Sequence, residues 1–295
     1  MATPRRSARL ANGTNSGSGN GSPLQTTTNG HHPVLSEEDS IKDQLKSSAV
    51  NVIKPRSFWA TYEVPRKLLH SSIGVVTLIL NAIDPPTLTP LILSLSAGLV
   101  IVTGADVIRF KSPVFAKTYE AYLGPLMRDS ERHKWNGVIW YLVGVIFVLT
   151  LYPRDVAVLS ILILSWADTA ASTIGRLLSK SKYNPRLPAR VCFGLIPLSP
   201  NKSLAGFVAA WMTGLIVAVG YYGGGPGGGG SRGGQVDWRV LEWRRGVAFT
   251  GSFVGCVAAY VEALDLPAGL DDNLTLPIVS GALVWAFLSF TSRFL

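Results

Sequence analysis

Seven stretches of the chain, at about 68–83, 87–105, 136–152, 155–175, 203–222, 246–263 and 274–291, are apolar over most of the length a helix needs to cross a bilayer. That length is about 17–25 residues. In hydrocarbon every backbone N–H and C=O must be paired within the protein, which leaves helices or a closed barrel. The runs are continuous rather than alternating, so a barrel is excluded. The sequence therefore predicts an all-α, polytopic integral membrane protein with about seven transmembrane helices, about six to eight if the shorter stretches are divided differently.

Composition agrees. Only 15% of the 295 residues are charged, against about 25% in soluble domains. The net charge of +9 is spread over loops, without the basic stripe and interleaved aromatics of a nucleic-acid binder. Residues 1–55 are read as a disordered cytosolic tail, since their Ser, Gly, Asn and Thr content cannot bury enough surface to fold. No apolar run lies near Met1, so the first hydrophobic helix is expected to act as the targeting signal. Residues 56–295 form the membrane-embedded domain. Residues 107–127 place Phe115, Tyr119, Tyr122, Leu123 and Leu126 at helical spacing among charges, the pattern of an interfacial amphipathic segment. The Gly-rich stretch 223–235 reads as a flexible loop; it lacks the Lys-Ser/Thr ending of a phosphate loop. Cys192 and Cys256 make neither a disulfide framework nor a metal site, and His31, His32, His70 and His133 are too scattered for zinc.

Lys and Arg set the orientation. They cluster before the first helix, in 106–135 and in 176–202, which places the N-terminus and both loops in the cytosol. Alternation then sends 223–245, with four arginines, to the far side. Either that loop breaks the rule or a helix between 203 and 263 is misplaced.

One span carries a charge. In "LILSWADTAASTIGR" (162–176) Asp168 sits among small and apolar residues, at a cost of roughly 2.5–3.5 kcal/mol on the lenient insertion scale. Ser165, Asp168, Ser172 and Gly175 recur at helical spacing and form one polar stripe, ended by Gly175-Arg176. A stripe of small residues alone would read as helix packing; the carboxylate makes it a candidate site. "VPRKLLHSSIG" (64–74) brings Arg66, Lys67 and His70 together at the entrance of the first helix. Interfacial anchoring explains Arg66 and Lys67 equally well, but not His70 one turn deeper. "LSPNKSLAGF" (198–207) sets Lys202 and Ser203 before a helix whose N-terminal amides are expected to bind an anion. "EALDLPAGLDDNLTLP" (262–277) gathers Glu262, Asp265, Asp271, Asp272 and Asn273, either an acidic surface turn or hard oxygen ligands for Mg²⁺ or Ca²⁺. Cations for phosphates, carboxylates for a metal and a bilayer-facing site together suit transfer of a phosphoryl or nucleotidyl group onto a lipid.

In this order, "RKLLH", "SWADTAASTIGR", "SPNKSLAGF" and "DDNLTLP" resemble the CTP-dependent diacylglycerol kinases of fungi, whose superfamily includes dolichol kinases, phytol kinases and, more distantly, CDP-diacylglycerol synthases. The likeness covers about residues 60–295. It implies phosphorylation of diacylglycerol by CTP to phosphatidate, in the membrane of the endoplasmic reticulum and nuclear envelope. It implies that Asp168 and Gly175-Arg176 belong to the nucleotide and metal site, that Arg66-Lys67 is an essential basic pair, and that Lys202 and Ser203 match the synthases' Lys-Ser/Thr. Joined to the residue reading above, this gives expected catalytic roles for Arg66, Lys67, His70 and Asp168, nucleotide contacts from Gly175, Arg176, Lys202 and Ser203, and a divalent cation (Mg²⁺ or Ca²⁺) on Asp168 with Asp271 or Asp272; Asp168, Asp272 and His70 are the candidates for the base. Ala205 stands where the synthases carry an acid, which argues against cytidylyl transfer. Nucleotide choice rests on the resemblance, because no motif encodes it physically. The alternatives are a polyprenol kinase, a phosphatidate cytidylyltransferase and a non-enzymatic transporter; the last should show a second copy of the polar helix, and none is present. Acyl-chain preference and oligomeric state are not legible.

Overall fold

The computed structural model describes residues 63–127, 131, 134–191, 196–223, 243–264 and 270–294. The tail, the Gly-rich loop 223–235 beyond its first residue, Asp265, Cys192, His31, His32 and His133 lie outside the described residues.

Eight helices are described: α1 (Val64–Ile83), α2 (Thr89–Lys111), α3 (Pro113–Leu123), α4 (Gly137–Leu151), α5 (Arg154–Leu177), α6 (Leu204–Gly223), α7 (Trp243–Ala263) and α8 (Asp272–Phe294). Each of the seven expected apolar stretches falls on one of them. By length and composition α2, α5, α6 and α8 can cross a membrane, and α4 and residues 248–263 of α7 are shorter apolar helices. The only strands among the described residues are the two-residue pair β1 (Arg190–Val191) and β2 (Ile196–Pro197), antiparallel, within the loop between α5 and α6.

Local chemistry starts the helices where they start. Pro65, Pro90 and Pro113 occupy the first turns of α1, α2 and α3, where the missing N–H costs nothing. Asn136 caps α4 by accepting from the Val138 amide. The 107–127 expectation is partly corrected. α2 continues to Lys111 because Asp106 and Arg109, one turn apart, form a buried 2.7 Å ion pair. Arg109 also donates to the carbonyls of Glu131 and Lys134, and Asp106 accepts from the Asn136 amide. The amphipathic helix proper is α3, which buries Tyr119 and exposes Tyr122.

α5 forms the centre, buried over most of its length. A π-helical turn at Ile163–Ala167 interrupts it just before Asp168. Such turns shift the faces of a helix and recur at functional sites. Its effect here is to separate Ser165 from the expected stripe: Ser165 is buried against the Tyr141 hydroxyl at 3.3 Å, whereas Asp168, Ser172 and Gly175 line a common pocket.

α6 and α7 pack closely through glycine. A Cβ on Gly255 would lie 2.6 Å from the Trp211 carbonyl oxygen, and one on Gly214 2.8 Å from the Ala258 Cβ. Gly255→Ala is expected to cost about 1–3 kcal/mol by overpacking, read as an earlier thermal transition in detergent. An unchanged transition would show that the two helices can separate freely. Both helices are present: α6 begins and α7 ends beside the pocket, so residues 224–242 connect the ends that lie away from it.

Candidate functional site

The beginnings of α1, α6 and α8 and the ends of α5 and α7 meet on one side of the bundle. Glu63 ties two of them together. It adopts a left-handed backbone conformation, with φ of 50°, just ahead of α1, a region that few non-glycine residues occupy. Its carboxylate accepts from Arg66 at 3.1 Å and from Arg176 on α5 at 2.9 Å. Lys67 donates to the Thr173 hydroxyl at 3.0 Å. Arg66, Lys67, His70, Asp168 and Arg176 thus share one small polar pocket.

A larger polar pocket, about 340 Å³, opens on the other side of Asp168. Its lining carries three carboxylates, Asp168, Glu262 and Asp272, and three cations, Arg176, Arg186 and Lys202. Lys202 donates to Glu262 Oε1 at 2.7 Å and approaches Asp272 Oδ2 at 3.4 Å. Burial lowers the affinity of its ammonium for a proton, but the carboxylates of Glu262 and Asp272 outweigh burial, and the net pKa shift is upward. Lys202 therefore stays charged at neutral pH. Gly175 and Gly206 let α5 and α6 approach: a Cβ on Gly175 would meet the Ser203 hydroxyl at 3.0 Å, and one on Gly206 the Ala171 carbonyl at 3.0 Å.

The α6 N-terminus departs from expectation. Its first amides are already used: Leu204 donates to the Pro185 carbonyl, Ala205 to Asn184 Oδ1, Gly206 to the Ser203 hydroxyl and Phe207 to the Ser203 carbonyl. The positive groups at this end of the pocket are side chains, Lys202 with Arg176 and Arg186, so an anion there would meet these rather than backbone amides.

The acidic segment divides. Asp272 lines the large pocket. Asp271 does not; its side chain accepts from the Asn273 amide, capping α8. Asn273 is buried and bridges two elements, its amide donating to the Gly137 carbonyl at 3.4 Å and its oxygen facing His70 Nε2 at 3.2 Å.

Among the described residues no three His, Cys, Asp or Glu side chains converge to hold a metal ion by themselves. The donor chemistry still fits a hard cation shared with a ligand. Three carboxylates face the pocket, and Glu262 Oε2 is buried without a hydrogen-bond partner. Mg²⁺ commonly takes one or two carboxylates and completes its shell with phosphates and water.

Over 227 residues, 77% of this chain and 94% of the relative, the sequence is 38% identical to CTP-dependent diacylglycerol kinase 1 of Schizosaccharomyces pombe. The corresponding protein of Saccharomyces cerevisiae is 37% identical over 228 residues, 76% of this chain and 72% of the relative. The chain belongs to the CTP-dependent diacylglycerol kinase family. Chloroplastic phytol kinase 1 of Arabidopsis thaliana is 24% identical over 159 residues, 52% of this chain and 44% of the relative. No family model and no solved structure matches the chain.

In this member of the diacylglycerol kinase family the expected residues gather around Asp168, with Asp271 set apart as a cap. Sequence reasoning missed Glu63, Asn184 and Arg186, and it missed that Glu262 pairs with Lys202. Glu63 had a faint signal, an acid immediately before the basic "VPRK". The Glu262 pairing had none.

Proposed function

We propose that the chain transfers the γ-phosphoryl group of CTP to the free hydroxyl of diacylglycerol, giving phosphatidate and CDP. It does so on the cytosolic face of the endoplasmic reticulum and nuclear envelope, with α1, α2 and α4–α8 crossing the bilayer and residues 1–55 as a cytosolic tail. One observation carries the reading. The charged pocket reaches Asp168, the small polar pocket runs from Asp168 to His70, and a wholly different, apolar cavity begins at His70. A water-soluble polyanion and a lipid can thus meet across one carboxylate.

The transition state of phosphoryl transfer is loose, so the protein contributes chiefly position and charge. Arg176, Arg186 and Lys202 bind phosphate oxygens. Arg66 and Lys67 stabilise the group in flight from the α1 side, and Glu63 holds Arg66 and Arg176 in place. A divalent cation, when bound, would be held by Asp168 and Asp272 with phosphate oxygens and would neutralise triphosphate charge. The lipid hydroxyl oxygen forms a bond to the γ-phosphorus as the bond to the bridging oxygen breaks. CDP departs, and the hydroxyl proton passes to His70, whose ring Asn273 fixes through Nε2.

Reconstituted protein supplied with CTP labelled in the γ-phosphate should give labelled phosphatidate, and CTP labelled in the α-phosphate should not label the lipid. Lipid labelled from the α-phosphate would replace the reading with cytidylyl transfer; strong preference for a polyprenol over diacylglycerol would replace the acceptor. His70→Asn is expected to lower kcat about 10²-fold, the lower range for a lost acid–base group, with little change in KM for CTP. An unaltered kcat would remove His70 from proton transfer.

A further inference from the structure

The cavity beginning at His70 has features that phosphoryl transfer alone does not require. It measures about 300 Å³, and Ile73, Val76, Leu91, Val145, Val158 and Ile161 make its walls apolar. Protein interiors rarely leave voids much larger than a water molecule, and apolar walls give water nothing to bind. The walls suit an apolar occupant. α1 and α4 both leave the site end, since Asn273 joins His70 to Gly137. α5 runs back toward it, with Arg154 paired to Asp84 at the far end of α1 and Trp166 donating to the Ser71 carbonyl near the site. The lining from Leu69 to Asn81 therefore covers about 18 Å of helix.

The two ends differ. The site end is His70, which also lines the small polar pocket with Lys67 and Asp168. At the other end Arg154 lines the cavity, pairs with Asp84 at 2.7 Å and donates to the Pro85 carbonyl at 3.3 Å, clamping the turn between α1 and α2. The side is open: α1 packs on α5 and α2 on α4, and Leu69 and Val76 line the cavity while remaining 43% and 51% exposed.

Building on the proposed kinase reading, we propose that this cavity seats one acyl chain of the lipid substrate. The chain enters sideways between α1 and α2, its glycerol hydroxyl stops at His70, and the Arg154–Asp84 clamp limits the chain length accepted. The second acyl chain stays in the bilayer.

Two experiments test this. The first uses the unaltered protein in nanodiscs with a diacylglycerol carrying a diazirine at the end of one long acyl chain. Photolysis should label peptides of α1, α2 and α4 near Leu80, Leu88 and Leu149, and non-photoreactive diacylglycerol should compete. Labelling confined to α6, α7 or α8 would overturn the assignment. The second reads kcat/KM across acyl chains of eight to eighteen carbons. Leu149→Trp, which fills the far end, should lower the long-to-short ratio at least tenfold, and Leu80→Ala should raise it. Ratios unchanged in both variants would overturn the proposal. Absence of CTP-dependent phosphorylation of any diacylglycerol by the unaltered protein would instead sink the kinase reading, and the labelling map would still decide where a lipid chain lies.

Discussion

Asp168→Asn is expected to lower kcat by at least about 10²–10³-fold, the scale seen when one preorganised electrostatic group is lost from an active site. The protein should remain inserted and folded. Asp168 stands where α5 leaves its π turn, and it lines both polar pockets. A carboxylate at that depth is a cost to the helix, so the amide should leave the thermal transition in detergent unchanged or move it upward. The combination separates function from structure: a structural partner of Lys202 or Lys67 would lose stability along with activity. Near-normal kcat in the Asn variant with saturating divalent cation would remove Asp168 from the phosphate and cation chemistry.

The helices were legible because lipid leaves the chain few options. A run such as "GVIWYLVGVIFVLTL" has one way to satisfy its backbone in hydrocarbon, and α4 is that run. The candidate residues were legible for a related reason. Charge inside an apolar helix is costly, so Asp168 stood out without any knowledge of its partners. Contacts distant in sequence were not legible. Nothing in the sequence joins Glu63 to Arg176 or Lys202 to Glu262, since neither pair shares a helix. One-residue distinctions failed as well. Asp271 and Asp272 are equivalent as ligands in sequence, but α8 begins between them, so one caps the helix and the other faces the pocket. The π turn likewise shifted Ser165 away from the face that an ideal helix assigns it. The amides of "LAGF" looked available in part because the acceptors of two of them, Asn184 and Pro185, are about twenty residues earlier in the chain.

Lys202 tests whether the carboxylates around it serve structure or chemistry. Lys202→Met should lower stability by about 3 kcal/mol, the lower range for breaking a buried pair, because Glu262 is 5% exposed and loses the cation it meets at 2.7 Å. Activity should fall as well, but that loss alone is ambiguous. Glu262→Gln resolves it. Without the buried carboxylate, Lys202 keeps Asp272 as a partner and still presents its charge to the pocket, so the single Gln variant should keep the stability of the unaltered protein to within about 1 kcal/mol. The double variant Lys202→Met, Glu262→Gln has neither charge to leave unpaired, so most of the lost stability should return, a coupling well above the few tenths of a kcal/mol expected of independent sites. Its kcat/KM for CTP should nevertheless stay as low as that of Lys202→Met, since the cation that binds phosphate is still missing. Recovery of both stability and kcat/KM in the double variant would make Lys202 a counterion to Glu262 and nothing more, and phosphate binding would then rest on Arg176 and Arg186.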